Sequence, residues 1–154
     1  MKVIVVYESM YGNTKRVAET IVEGINEADG VDVSIVELKR VELNGIADYD
    51  AILIGSPNHF GGPTRGIKGF IDKLGKLQLN GKFFAFFDTY MGNDFEKAAN
   101  KMEKQISSKI QKIKHPILSL SIKVQGIKGP IADGELYKCK EFGKQIAAHI
   151  KEGF

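Results

Sequence analysis

Lys2-Val3-Ile4-Val5-Val6-Tyr7-Glu8-Ser9-Met10-Tyr11-Gly12-Asn13-Thr14 is the stretch that decides how this chain folds. Its first half is an apolar, β-branched run, the pattern of a buried strand. Beyond it, Val17, Ala18, Ile21, Val22 and Ile25 recur at helical spacing, so residues 9–14 join a strand to a helix. A helix N-terminus presents unpaired N–H groups at the positive end of its dipole and so attracts anions. Ser9, Asn13 and Thr14 add short polar side chains, and Gly12 lets the backbone fold closely. The same residues equally serve an ordinary turn in which Asn13 or Thr14 caps the helix.

The rest of the chain repeats the alternation of strand and helix, which marks an α/β protein with a parallel sheet. Val31–Leu38 reads as a second strand, followed by a polar connection, Glu42–Asp50. Ala51–Gly55 is a third, short and apolar strand, and Ile67, Phe70, Ile71 and Leu74 share one helix face. The aromatic run Lys82–Asp88 fits a central strand buried on both faces. Asp94 is the expected N-cap of a helix using Phe95, Ala98, Ala99, Met102 and Ile106. Leu118, Leu120, Ile122 and Val124 alternate with polar residues, the mark of an edge strand. Asp133 is expected to open a last helix packed through Leu136, Cys139, Phe142, Ile146 and Ile150.

The 154 residues suggest one domain spanning 1–154, and 43% hydrophobic content is enough for a sizeable core. No apolar run approaches the roughly 20 residues of a membrane span, and Met1-Lys2 leads straight into the first strand without a signal-peptide pattern. A lone cysteine, Cys139, rules out an internal disulfide framework and points to a reducing cytoplasm. Net charge is +3. Residues 1–80 carry 9 basic and 11 acidic side chains, against 13 and 8 in residues 81–154. The series Lys97, Lys101, Lys104, Lys109, Lys112 and Lys114 has no interleaved aromatics, and reads as a solvated face rather than a nucleic-acid site.

The form S-x-x-G-N-T after an opening strand resembles the phosphate loop of the flavodoxin family, electron carriers built on flavin mononucleotide (FMN). The Walker and dinucleotide patterns are both missing. A phosphatase would need a cysteine in this loop. A receiver domain would need an aspartate where the third strand ends, and that strand ends in Gly55-Ser56. The resemblance implies a three-layer sandwich around a five-stranded parallel sheet of order 2-1-3-4-5. In that order the ligand lies beyond the C-terminal ends of strands one and three.

By the same resemblance, FMN would contact Ser9, Met10, Tyr11, Gly12, Asn13 and Thr14. It would also meet Ser56, Pro57, Asn58, His59, Phe60, Gly61 and Gly62 after strand three, and Asp88, Thr89, Tyr90, Met91, Gly92 and Asn93 after strand four. The G-S-P opening is similar to the flavin domains of flavo-diiron proteins, and Phe60-Gly61 to quinone reductases of the tryptophan-repressor-binding type. Phe60 and Tyr90 are the candidates to pack on the isoalloxazine. His59 is a lone loop histidine, more often solvent-exposed than catalytic. Gly126–Ile131 with Gly134–Leu136 also resembles small flavodoxin-like proteins, without a chemistry that needs it.

Nothing in the chain reads as a nucleophile, a metal cluster or a paired-carboxylate site. The expected function is FMN-dependent electron transfer between redox partner proteins, with no nucleic acid or membrane involved. A quinone reductase on the same fold and a non-redox binding module are the alternatives. Familiar flavodoxins are acidic, and the basic balance here departs from them.

Overall fold

The computed structural model describes residues 1–152. Five parallel strands form one sheet: β1 (Lys2–Tyr7), β2 (Asp32–Glu37), β3 (Ala51–Pro57), β4 (Phe83–Tyr90) and β5 (Lys114–Lys123), in the order β2-β1-β3-β4-β5. Four α-helices flank the sheet: α1 (Asn13–Asn26), α2 (Arg65–Leu74) and α3 (Lys97–Lys109) follow β1, β3 and β4, and α4 (Glu135–Lys151) follows the last strand. This is the flavodoxin-like three-layer arrangement.

Side chains alternate across each strand, so the sheet carries two separate cores. Val3, Val5, Leu53, Ala85 and Phe87 face α1 and α4. Ile4, Val6, Ile52, Ile54, Phe84 and Phe86 face α2 and α3. Phe83, Phe84, Phe86 and Phe87 are all fully buried, and β4 is an interior strand covered on both faces, between β3 and β5, as the aromatic run predicts. Each such ring stabilises the fold by roughly 1.5–3 kcal/mol relative to exposure.

The α1–α4 layer depends on two glycines. A Cβ on Gly24 would lie 2.1 Å from the Lys140 carbonyl oxygen, and one on Gly143 would lie 2.1 Å from the Ile21 oxygen. The helix backbones therefore touch directly, and α1 is held in place beneath the loop that it opens.

Several boundaries differ from the sequence expectation. The second strand runs from Asp32 to Glu37, because Leu38 turns into a short 3-10 stretch, Leu38–Arg40. The connection before β3 is not merely polar: Leu43–Asp48 forms another 3-10 stretch and buries Ile46 completely. The edge strand starts at Lys114, four residues before Leu118, with a register shift between Phe83 and Ala85. Asp133 does not open the last helix, since Gly134, at φ 82°, precedes its first residue. Asp94 does not cap α3, which begins at Lys97 after Glu96, itself at φ 62°.

Candidate functional site

Loops at the C-terminal ends of β1, β3, β4 and β5 enclose a cavity of about 570 Å³. On the β1 side, Gly12 takes φ 92° and immediately precedes α1. Neither Asn13 nor Thr14 is the N-cap; both lie inside the helix, and no side chain caps it. The first helical bond is donated by Arg16 N–H to the Gly12 oxygen, so the preceding N–H groups of the turn have no helical acceptor. Gly12 N–H itself donates to Ser9 Oγ at 3.1 Å, closing the loop. The result is an uncapped helix start facing the cavity, the geometry that binds anions.

Thr14 is buried, and its Oγ1 lies 3.1 Å from Thr89 Oγ1, which ties the phosphate-type loop to β4. Glu8, just before the loop, accepts a hydrogen bond from the Thr64 hydroxyl, and Thr64 Oγ1 in turn accepts from Ile67 N–H as the N-cap of α2. The first two walls of the cavity are thereby braced against each other.

The loop after β3 is a two-residue hairpin. His59 N–H donates to the Gly62 oxygen at 2.7 Å and Gly62 N–H to the His59 oxygen at 3.1 Å. Phe60 and Gly61 both have positive φ, 52° and 73°, as this hairpin type requires. Glycine and asparagine usually fill such positions. A phenylalanine there carries about 1–2 kcal/mol of strain, yet its ring is fully exposed at the cavity mouth. Across the cavity Tyr90 is half-buried, edge-to-face with Phe95 at 5.3 Å.

Twelve of the nineteen sequence-predicted positions line this cavity: Ser9, Met10, Tyr11, Asn13, Thr14, Pro57, Asn58, His59, Phe60, Thr89, Tyr90 and Met91. Gly12, Gly61, Gly62, Gly92 and Asn93 shape the loops without lining it. Ser56 and Asp88 point inward instead. Ser56 Oγ donates to the Pro57 oxygen and accepts from Thr64 N–H. Asp88 is fully buried, accepting from the Ser121 hydroxyl and from Ala99 N–H at 2.9 Å. Burial pushes its carboxyl above the usual range, against the pull of these bonds.

Asp88 and Asn58 explain the start of α3. Asn58 Oδ1 accepts from Ala98 N–H at 2.9 Å, Asp88 Oδ2 from Ala99 N–H, and Ser121 Oγ from Glu96 N–H at 2.9 Å. Three orphan donors of the helix start are met by side chains from the loop after β3, from β4 and from β5 rather than by a local cap.

Sequence reasoning missed Asp94, Val124 and Ile127, which complete the lining. Asp94 pairs with Lys97 at 3.2 Å. The loop after β5 approaches the phosphate-type loop so closely that a Cβ on Gly129 would lie 2.5 Å from Asn13 Oδ1. Glu135 anchors that loop, accepting from Lys123 N–H at 2.9 Å and pairing with Lys138. Burial raises its carboxyl, but the Lys138 ammonium and the Lys123 N–H outweigh burial and leave it below the usual range. The glycine-rich stretch 126–134 was the available signal.

The other titratable groups offer little reactive chemistry. Cys139 is buried and its thiol is pushed up to about 12, chiefly by burial, so it is not a nucleophile at neutral pH. Among the described residues no group of three or more His, Cys, Asp or Glu side chains could hold a metal ion. No described helix is long and apolar enough to cross a membrane.

The family model for the flavodoxin domain matches residues 4–118. A flavodoxin of Clostridium saccharobutylicum is 30% identical over 89 residues, covering 58% of this chain and 56% of that protein. An NAD(P)H dehydrogenase (quinone) of Geotalea daltonii is 34% identical over 105 residues, covering 53% of this chain and 51% of that protein. The chain thus spans about half the length of these curated relatives. A solved flavodoxin from the domain Archaea superposes with a TM-score of 0.80 at 31% identity, covering 98% of this chain and 99% of that one. Sheet order, cavity position and the match over 4–118 agree: this chain belongs to the flavodoxin family.

Proposed function

We propose that the protein binds FMN in the cavity above β1, β3 and β4 and carries electrons between redox partner proteins. The observation that carries this reading is the uncapped start of α1 behind Gly12, opening into a cavity flanked by Phe60 and Tyr90. The residues fit the group. Free N–H groups and the helix dipole suit one phosphate, and aromatic and thioether side chains suit a flat ring. One nest and no dinucleotide fingerprint favour FMN over FAD.

FMN supplies one- and two-electron chemistry when bound. The chain's own work is to hold the phosphate on residues 9–14, orient the ring between Phe60 and Tyr90, and limit water at its inner edge. Thr14 and Thr89 fix the start of α1 against the end of β4. A reducing cytoplasm suits the single buried thiol.

A second reading is an NAD(P)H-dependent quinone reductase, favoured by the 34% identity to the Geotalea enzyme. Purification and an absorption spectrum test the flavin directly, and steady oxidation of NADH or NADPH with a quinone alone would favour the reductase. Replacing Gly12 and Thr14 by Glu should abolish flavin retention. Unchanged FMN affinity in that variant sinks the assignment.

A further inference from the structure

Five exposed apolar side chains meet at the mouth of the cavity: Met10, Tyr11, Phe60, Met91 and Ile127. They come from four different loops. Phe95 stands beside them against Tyr90, exposed and outside the lining, so a ligand in the cavity leaves its ring uncovered. Scattered exposed hydrophobics are ordinary on a folded surface, whereas convergence on one rim marks an interaction site.

The segments that carry this rim also hold the chain's surplus of positive charge. From each strand end through the first turn of the next helix, the four loops span residues 8–16, 58–68, 91–100 and 124–138. They hold seven basic and five acidic side chains. Lys101 is an eighth cation, its Nζ 3.6 Å from where a Cβ on Gly62 would sit. The surplus of three equals the whole chain's net charge of +3, so the remaining surface is balanced. Asp94, the one carboxylate of the cavity lining, is neutralised by Lys97. Lys128 lies over the Tyr11 ring at 5.9 Å, on the phosphate-loop side, while Lys101 stands on the β3-loop side.

Resting on the FMN reading above, we propose that this rim docks an acidic redox protein. The parts of the apolar rim that bound FMN leaves uncovered, Phe95 among them, pack against the partner, and its surface carboxylates meet Lys101 and Lys128. Transient electron-transfer complexes bury less than about 1,200 Å², which suits a rim of six apolar side chains. Charge-driven membrane attachment draws on clusters of about four to eight Lys or Arg. A surplus of three, interspersed with acids, falls short of that.

The probes are an acidic plant-type [2Fe–2S] ferredoxin and a basic c-type cytochrome. One electron passes from the reduced cluster to the oxidised flavin, or from the reduced flavin to the ferric haem. The ferredoxin reaction is expected to slow several-fold as salt rises, and the cytochrome reaction not to slow. The double substitution K101E/K128E should slow it about tenfold and flatten its salt dependence, with flavin content unchanged. It should speed the cytochrome reaction. A ferredoxin rate in the parent that salt leaves unchanged, or an unaltered ferredoxin rate in the variant, overturns the proposal. So does binding to phosphatidylserine vesicles that the substitutions abolish. Calorimetric binding of ferredoxin separates the two readings. Docking without flavin retention would count against the cofactor alone, and flavin retention without docking against this rim alone.

Discussion

Asn58 Oδ1 accepts a hydrogen bond from Ala98 N–H at 2.9 Å, joining the loop after β3 to the first turn of α3. The same side chain donates from Nδ2 to the Thr89 oxygen at 3.0 Å. One amide thus binds a cavity loop, a strand end and a helix start.

Replacing Asn58 by Ala removes both bonds. Loss of an N-cap acceptor costs about 0.5–2 kcal/mol, so the chemical denaturation midpoint is expected to fall accordingly. FMN affinity should fall as well, because the β3 loop loses its brace. A variant as stable as the parent would mean that another group caps α3.

Gly143→Ala should be among the most destabilising small substitutions in the chain. Its Cβ would lie 2.1 Å from the Ile21 oxygen, a backbone atom that no rotamer change can move. Overpacking costs typically 1–3 kcal/mol, and the midpoint of thermal unfolding reads it. Gly12→Ala, with nothing within 4 Å of its Cβ, serves as the contrast: its cost is only that of the positive φ.

Asp88 gives stability a pH dependence of defined sign. Its native carboxyl holds a proton to higher pH than in the unfolded chain, because burial outweighs the bonds from Ser121, Ala99 and Asn58. From about pH 4, the ordinary carboxylate value, up to the raised native value, the folded state binds more protons. Stability therefore falls as pH rises through that window and is level above it. Asp88→Asn retains an acceptor for Ala99 N–H and removes the titration. Denaturation across this range should give a smaller slope for the variant, and equal slopes would refute the assignment.

The second reduction potential of bound FMN should be less negative than in acidic flavodoxins. Asp94 is the one carboxylate lining the cavity and is paired with Lys97, while Asp88 is buried and turned away from the cavity. Each missing acid several ångströms from the ring changes the energy of a reduced anion by on the order of 1 kcal/mol. A redox titration at low and high salt decides it. A potential as low as in strongly acidic relatives would assign control to ring-pocket hydrogen bonds.

Local pattern alone determined much of this protein. The β-branched run before Gly12, the aromatic run of β4 and the helical spacing of Val17 to Ile25 locate their elements, because burial on one or two faces imposes a period on the sequence. The loop at residues 9–14 was legible for a similar reason: a strand, a glycine and a helix lie next to one another in the chain. Tertiary structure alone decided what depends on atoms distant in sequence. Asn58 lies 40 residues from Ala98, and Asp88 lies 11 from Ala99, so the start of α3 is set by donors and acceptors that no local window contains. The inward turn of Asp88 and Ser56, the wall formed by Val124 and Ile127, and the contact of Gly24 and Gly143 with opposing backbone likewise arise only when the layers close. Periodicity records which face is buried, and the packed fold alone records what lies against it.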